Sequence, residues 1–513
     1  MWSASSRAAR LALLAVIVTG CTGAPSTAAP TVTTPSAEAS VPSVAQGPER
    51  TPEPTPEPTA LPVPVADSRL DVVLGRPTDT SIAVSIVARD GGSASVAYRV
   101  DGRALAVRTE PVQLAPATPT TVELAGLAPS TAYRYTVILD GIAGGEHGFR
   151  TARDPGEAFT FTIDADPHYG DPRFSGDQYL LTLANALTDA PDLHVDLGDT
   201  FMTEKTQAAT ETEAEATFAG MRPYLASLAA DVPLFLVNGN HDGELGWLTT
   251  GKNASDLPAW SAALRQRWFP GPVPGDGNGF TTGATSTDPV TGSPRDGYYA
   301  FRWGDARFIV LDPFWYTTAK PAPGDPNGGW GWTLGREQYD WLAVTLAATT
   351  SPYTFVFIHH LVGGGESARG GTEVAGFYEW GGANADGTDG FNEHRPGWGV
   401  PIHDLLVAHG VSAVFHGHDH VYVRQELDGI VYQELPQPSI SGGGGERLAS
   451  EYGYVGGDVV GSSGHLRVTV SAAAATVAYV RSVLPGDARA GAVNGEVQAT
   501  YDIAPRSSLR GRS

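Results

Sequence analysis

Leu234-Phe-Leu-Val-Asn-Gly-Asn-His-Asp242 reads as a short apolar strand that stops at a glycine turn and delivers groups able to bind a metal or move a proton. Four other stretches have the same form. Phe159-Thr-Phe-Thr-Ile163 runs into Asp164-Ala-Asp-Pro-His168, and Leu193-His-Val-Asp-Leu197 into Gly198-Asp199. Phe355-Val-Phe-Ile358 runs into His359-His360, and Val411-Ser-Ala-Val-Phe415 into His416-Gly-His-Asp-His420. Sites in open α/β sheets form at the carboxyl ends of strands. The intervals from Asp166 to Asp199 and from Asp199 to Asn240 each fit one strand–helix–strand unit, with helices expected from Gln178 to Leu187 and from Glu211 to Leu228. The five strand ends are therefore expected along one edge of one sheet. Asp166 and His168 are two residues apart, as are His418 and His420. In extended backbone such pairs project to the same side. Glycine before Asp199, Asn240 and His418 permits tight turns.

Upstream of these stretches the composition changes twice. From Ser68 to Arg153 short β runs alternate with turn residues at the spacing of a sandwich, among them Ile82–Val87, Thr120–Leu124 and Tyr133–Leu139. Within them Leu127-Ala-Pro-Ser-Thr-Ala-Tyr-Arg-Tyr135 resembles the strand entry of fibronectin type III domains, where a tyrosine bonds back to the main chain. No catalytic cluster stands here, and residues 67–153 read as a structural or spacer domain. Residues 22–66 are rich in Pro, Thr, Ala, Ser and Glu and cannot bury a core. In polyproline II form, at about 3.1 Å per residue, they reach on the order of 100 Å. Before them, Arg7 and Arg10 precede an apolar run from Leu11 to Val18 that ends in Val18-Thr-Gly-Cys21. That is the layout of a secretory signal, and its ending resembles a bacterial lipobox. Residues 1–21 are thus expected to direct export, with Cys21 lipidated and the protein held at the cell surface or in the periplasm. Cys21 is the only cysteine, so no disulfide is expected.

The net charge of −23 repels nucleic acid and anionic lipid alike. No nucleic-acid-binding surface is evident, and the membrane is expected to be reached only through the lipid anchor. No other apolar run is long enough to span a bilayer.

The ordered set Asp-x-His, Gly-Asp, Gly-Asn-His-Asp, His and Gly-His-x-His resembles that of the calcineurin-like metallophosphoesterases, over roughly residues 159 to 480. With a β-sandwich in front, the layout is similar to that of purple acid phosphatases. The resemblance implies an α/β fold, a two-sheet α/β/β/α sandwich over residues 154–505, preceded by the all-β fibronectin type III-like sandwich. It implies two metal ions: Asp166, His168 and His420 on the first, Asn240, His359 and His418 on the second, and Asp199 bridging both. Of the paired histidines, His359, directly after the strand, takes the ligand position, and His360 is left to packing. The implied reaction is hydrolysis of a small-molecule phosphate ester by in-line attack of a metal-bridging hydroxide. His241, unligated, would protonate the leaving oxygen or orient the phosphoryl group. Asp242 either orients that imidazole or caps the turn. Mixed oxygen and nitrogen ligands suit Mn, Fe or Zn and single out no one pair. Purple acid phosphatases carry a tyrosine three residues after the Gly-Asp aspartate; here that residue is Met202. They also lack the histidine that stands here as His168. The chain therefore follows the wider superfamily, without a tyrosinate chromophore.

The Gly-rich stretch from Gly363 to Gly399 leaves one ligand strand and returns before the next. Long irregular connections of this kind are usually functional, and Arg369, His394 and Arg395 are its candidate phosphate contacts. Val421–Glu434 and Leu466–Arg481 read as strands of a second sheet. Two other readings stand beside hydrolysis of a monoester: a phosphodiesterase, and a non-catalytic surface binding lipoprotein. The second would be supported by missing ligand positions, and none is missing.

Overall fold

β-Branched and aromatic residues fall in short runs between glycine and aspartate turns, and the strands form on those runs. The computed structural model describes residues 69–206, 208–272, 279–282, 297–322, 328–442, 444–461, 463–487 and 491–506. All of them belong to the compact unit Pro58–Ser513. The expectations for the signal segment, Cys21 and the Pro/Thr-rich stretch lie outside the described residues.

Two sheets carry the molecule. The first has nine strands, in the order Val497–Ile503, Ala475–Ser482, Ser463–Val470, Phe159–Asp164, Leu193–Asp196, Leu234–Leu236, Leu70–Gly75, Ser81–Ala88 and Thr120–Ala125. The second has eight: Thr281–Thr282, Tyr299–Trp303, Ala306–Val310, Tyr353–Phe357, Ala413–His416, Ile430–Glu434, Tyr422–Leu427 and Asp458–Val460. The centre of each sheet is parallel. Their facing sides enclose an aromatic core in which Phe161 meets Phe308, Phe355, Phe357 and Phe415. Each such ring contributes roughly 1.5–3 kcal/mol on burial. The helices Gly176–Thr188 and Glu211–Ala229 pack on the outer face of the first sheet. Gly335–Ala347 and Ile402–Ala408 pack on that of the second. The layers are α/β/β/α, as expected.

Two expectations change. The five strands that lead into the candidate ligands do not share a sheet: Phe159–Asp164, Leu193–Asp196 and Leu234–Leu236 lie in the first, and Tyr353–Phe357 and Ala413–His416 in the second. Both sheets end their parallel strands at one rim, so the ligands converge across the sandwich rather than along one edge. The strands covering Leu466–Arg481 belong to the first sheet, where Ser463–Val470 pairs antiparallel with Phe159–Asp164.

Residues 69–153 form a β-sandwich whose second layer is the five-stranded sheet built on Gly92–Val100, Ala132–Leu139 and Ile142–Arg150. The Tyr133 hydroxyl accepts a hydrogen bond from the Ala128 amide at 2.8 Å, the main-chain tie expected of this segment. The sandwich is joined to the downstream layers. Leu70–Gly75 pairs parallel with Leu234–Leu236 at Gly75 and Leu234, which merges its first layer into the nine-stranded sheet. The Tyr135 hydroxyl donates to the Ala230 carbonyl at 2.5 Å. Arg222, fully buried, donates to the Ser85 carbonyl at 2.9 Å, to the Ser85 hydroxyl at 3.2 Å and to the Trp268 carbonyl.

Candidate metal centre

Three ligand loops come from the first sheet, and glycine lets two of them touch. Gly198 has a left-handed φ of 93°, which a side chain would resist. A Cβ on Gly239 would overlap the Asp199 amide. With neither side chain present the two backbones lie against one another, and the His241 amide donates to Asp199 Oδ1 at 2.7 Å. Asp242 locks this arrangement. Its Oδ2 accepts from the amides of Asp199 at 2.9 Å and Gly239 at 2.6 Å, and its Oδ1 from that of Phe201 at 2.8 Å. Of the two roles open to Asp242, the structure gives it the turn. Both oxygens face backbone N–H groups, so it does not orient the His241 ring. Burial first, then the charge of Asp199, raises its carboxyl to about 7.

The second sheet supplies His359, His418 and His420 from the opposite side. Asp166, His168, Asp199, His418 and His420 all have left-handed backbone, with φ of 61°, 59°, 53°, 79° and 62°. The Asp-x-His and His-x-His pairs therefore converge through tight left-handed turns, and the extended geometry expected of them does not occur. Residues with a Cβ adopt this conformation only at a cost, and such positions concentrate at functional sites.

The side chains meet in two groups whose ligand atoms lie within 4.8 Å of one another: Asp166, His168 and His420, and Asp199, His359 and His418. Asp199 Oδ2 faces both, 3.3 Å from His168 Nε2 and 3.4 Å from His359 Nε2. Asp166 Oδ1 is 3.4 Å from His420 Nε2. Asp166 Oδ1, His168 Nε2, Asn240 Oδ1 and His359 Nε2 are buried without a hydrogen-bond partner. Buried polar atoms normally have one. Carboxylate, amide-oxygen and imidazole donors clustered at this spacing fit two cations. The outer ring nitrogens fix which atom faces inward. His359 Nδ1 bonds the Leu197 carbonyl at 2.9 Å, which presents Nε2. His418 Nε2 bonds the Ser367 carbonyl at 2.9 Å, which presents Nδ1.

Burial opposes charge throughout this cluster, yet the groups charge one another. Desolvation would raise Asp166 and Asp199, but neighbouring histidines hold both well below the usual carboxylate range. Desolvation would lower His168 and His359, but the Asp166 and Asp199 carboxylates close by raise them to about 10 and about 9. Protons and cations thus compete for the same ring nitrogens. His360 behaves otherwise. Burial, then the charge of His359, lowers it to about 3, and its ring packs on Phe314 and Trp332 at 5.0 and 4.7 Å.

His241 belongs to neither ligand group. Its Nε2 is 3.9 Å from Asp199 Oδ2, and its Nδ1 is 3.1 Å from Glu204 Oε2. Glu204 is in turn 3.2 Å from Lys205 Nζ. Sequence reasoning missed Glu204, which stands in none of the motifs. The signal available was its place in the Gly198-Asp199 loop, next to one of only three lysines. Met202, the residue in place of a tyrosine, is buried.

The three candidate phosphate contacts are engaged within the protein. Arg395 donates to Glu379 and to the carbonyls of Trp330 and Trp332, and lies against the rings of Trp330 and Trp398. His394 stacks on Trp330 at 4.3 Å. Arg369 bonds the His418 carbonyl and Asp419. The two arginines bond carbonyls and carboxylates that other segments bring to them, and His394 is held by its stacking, so none of the three stands free of protein contacts.

Residues 159–422, just over half of the chain, match the family described as calcineurin-like phosphoesterase. No curated protein sequence matches the chain. Among solved structures, PhoD is similar with a TM-score of 0.61 at 15% identity, over 89% of this chain and 95% of that one. The purple acid phosphatase PPD1 from yellow lupin (Lupinus luteus) seeds is similar with a TM-score of 0.55 at 16% identity, over 84% of this chain and 74% of that one. At these identities the likeness is one of fold.

Proposed function

The chain belongs to the calcineurin-like phosphoesterases, a metal-dependent class, and from that premise we propose that it hydrolyses small-molecule phosphate esters at a centre of two metal ions. In this reading Asp166, His168 and His420 hold the first ion, Asn240, His359 and His418 the second, and Asp199 both. One observation carries the proposal: Asp199 Oδ2 lies between the two ligand groups, within 3.4 Å of a ring nitrogen from each, among buried donors that have no other partner.

When bound, two such ions supply charge neutralisation for the phosphoryl group and a nucleophilic oxygen at neutral pH. The protein's own groups do the rest. His241, half-buried beside Asp199, holds a proton at Nε2 for the leaving oxygen, while Glu204 fixes its Nδ1 side. Asp242 keeps the Asp199 and Asn240 loops in register. The ligand set suits Mn, Fe or Zn.

The experiment is turnover of a model phosphomonoester and a model phosphodiester by protein loaded with Mn, Fe or Zn. Hydrolysis of at least one ester with at least one metal is expected. No turnover with any of the three would overturn the reading in favour of a non-catalytic binding role. The ratio of the two rates decides between monoesterase and diesterase.

The Val18–Cys21 motif and the Pro/Thr-rich stretch after it support an exported enzyme anchored through Cys21, with residues 67–153 as a sandwich ahead of the catalytic part. Among the described residues no helix is long and apolar enough to cross a membrane. Cys21→Ser should release the protein from the membrane fraction; retention of that variant would remove the anchor.

A further inference from the structure

The turn that leaves the second sheet after His360 grips the His418–His420 turn. His418 Nε2 bonds the Ser367 carbonyl at 2.9 Å. Arg369 Nη1 donates to the His418 carbonyl at 2.7 Å and to Asp419 Oδ1 at 2.9 Å. The Gly370 amide donates to Asp419 Oδ2 at 2.9 Å. Asp419, between the two ligand histidines and 1% exposed, takes its remaining bond from the Tyr454 hydroxyl. The Arg369 guanidinium is sandwiched onto the Tyr452 ring at 4.2 Å. To make these contacts Ser367 and Ala368 both adopt left-handed backbone, with φ of 60° and 66°. Two successive non-glycine residues do so only where the surroundings hold them there.

Through the ring nitrogens the grip is one-sided, reaching His418 alone, although the His418 amide donates to Asp166 Oδ2 at 2.9 Å. Ser367 and Arg369 act on His418, which faces Asp199 and His359. His420, Asp166 and His168 make no hydrogen bond to this turn among the bonds of the described residues. A ligand histidine depends on the partner of its outer nitrogen, which fixes both tautomer and ring plane. With Ser367 in place, Nδ1 of His418 carries the lone pair.

We propose that the Gly363–Gly370 turn is a retention clamp for the second metal ion: Ser367 and Arg369 hold His418 as an Nδ1 ligand, so closure of the turn and occupancy of that one site stabilise each other. Arg369 is then a positioning residue for metal retention. The inference rests on the two-ion reading above and deepens it. Linkage makes the effect reciprocal. Whatever opens the turn releases the second ion, and whatever removes that ion loosens the turn, while the first ion stays.

The test uses the full chain and Mn2+ alone, titrated at buffered free concentrations and read by electron paramagnetic resonance, which separates an isolated ion from a coupled pair. The unsubstituted protein should bind two ions with a coupled signal. Arg369→Gln should keep the first ion at unchanged affinity and bind the second about 10–100-fold more weakly, leaving the signal of an isolated ion at intermediate Mn2+. Arg369→Lys, which keeps the charge but not the fork, should fall between and carries the test should the glutamine variant fail to fold. Trypsin should cut after Arg369 more slowly in the two-ion protein than in the metal-free one. Two ions bound at unchanged affinities in Arg369→Gln would overturn the clamp. So would equal weakening of both, because the arginine would then serve the whole site. Fewer than two ions in the unsubstituted protein would overturn the dinuclear reading itself, a result distinct from these.

Discussion

The imidazole of His241 is bonded to Glu204, Nδ1 to Oε2 at 3.1 Å, and not to Asp242, its neighbour in sequence. Burial raises the Glu204 carboxyl, but the bond to and charge on His241, then Lys205, bring it below its usual value, so it faces the ring as a carboxylate. His241→Ala should bind both metals as before and lose about 10²–10³-fold in kcat, the usual worth of a positioned proton donor. Glu204→Gln should lose less, about 10-fold. Metal content by elemental analysis beside steady-state kinetics checks both, and loss of metal in His241→Ala would place that ring among the ligands.

Asp242 should register in stability and not in chemistry alone. Asp242→Ala leaves three buried amides without an acceptor, at roughly 1–3 kcal/mol each before relaxation. A fall of about 3 kcal/mol or more in unfolding free energy is expected in denaturant titrations. Full stability with lost turnover would return Asp242 to the catalytic role.

Arg222 ties the N-terminal sandwich to the catalytic sheet. Its guanidinium remains charged even though burial lowers it to about 10. Arg222→Ala strands the Ser85 and Trp268 carbonyls and opens a cavity, at roughly 3–5 kcal/mol. Calorimetry should find one cooperative transition, moved down in temperature. A separate early transition for the sandwich would mean that the two parts fold independently.

Met202 predicts a colour. The residue three positions after Asp199 is a buried thioether and not a phenol. Iron-loaded protein should therefore show no strong visible tyrosinate band, and a purple absorption would contradict this.

Asp189 gives the pH dependence a sign. Burial pushes its carboxyl up, but hydrogen bonds from His465 at 2.8 Å and Arg467 at 2.7 Å bring it below the ordinary value. A carboxyl depressed on folding adds stability that is fully present above the unfolded pKa of about 3.9 and is lost as pH falls toward the folded value. Asp189→Asn should cost about 1–2 kcal/mol at pH 7, discounted for partial exposure. The gap to the unsubstituted protein should narrow below about pH 4 in urea titrations.

The six residues that the fold gathers into two groups able to hold metal were legible because each follows a strand in a short motif, and a strand end is visible as the stop of an apolar run. The partner of His241 was not legible. Asp242 adjoins it in sequence, but a carboxylate in a glycine turn is drawn to the free amides there, and Glu204 reaches the ring only through the fold. Nor was the division of the strands between sheets. Central parallel strands are buried on both faces, so Leu193–Asp196 and Ala413–His416, each fully buried, look alike until the pairing is known. The contacts of Arg369 and Arg395 were not legible for a related reason: an arginine in a glycine-rich stretch looks like an anion contact, yet the carbonyls and carboxylates these two bond come mostly from other segments that only the fold brings near.

The pairing of Gly75 with Leu234 has one more consequence. Without Leu70–Gly75 the three-residue strand Leu234–Leu236 would end the sheet, and its free N–H and C=O groups would offer a template to another chain. The upstream strands cover that border, and the approach is so close that a Cβ on Gly75 would collide with the Pro270 carbonyl. A protein shortened to its catalytic part would present an open sheet border beside its active site, and should self-associate before it loses its metals.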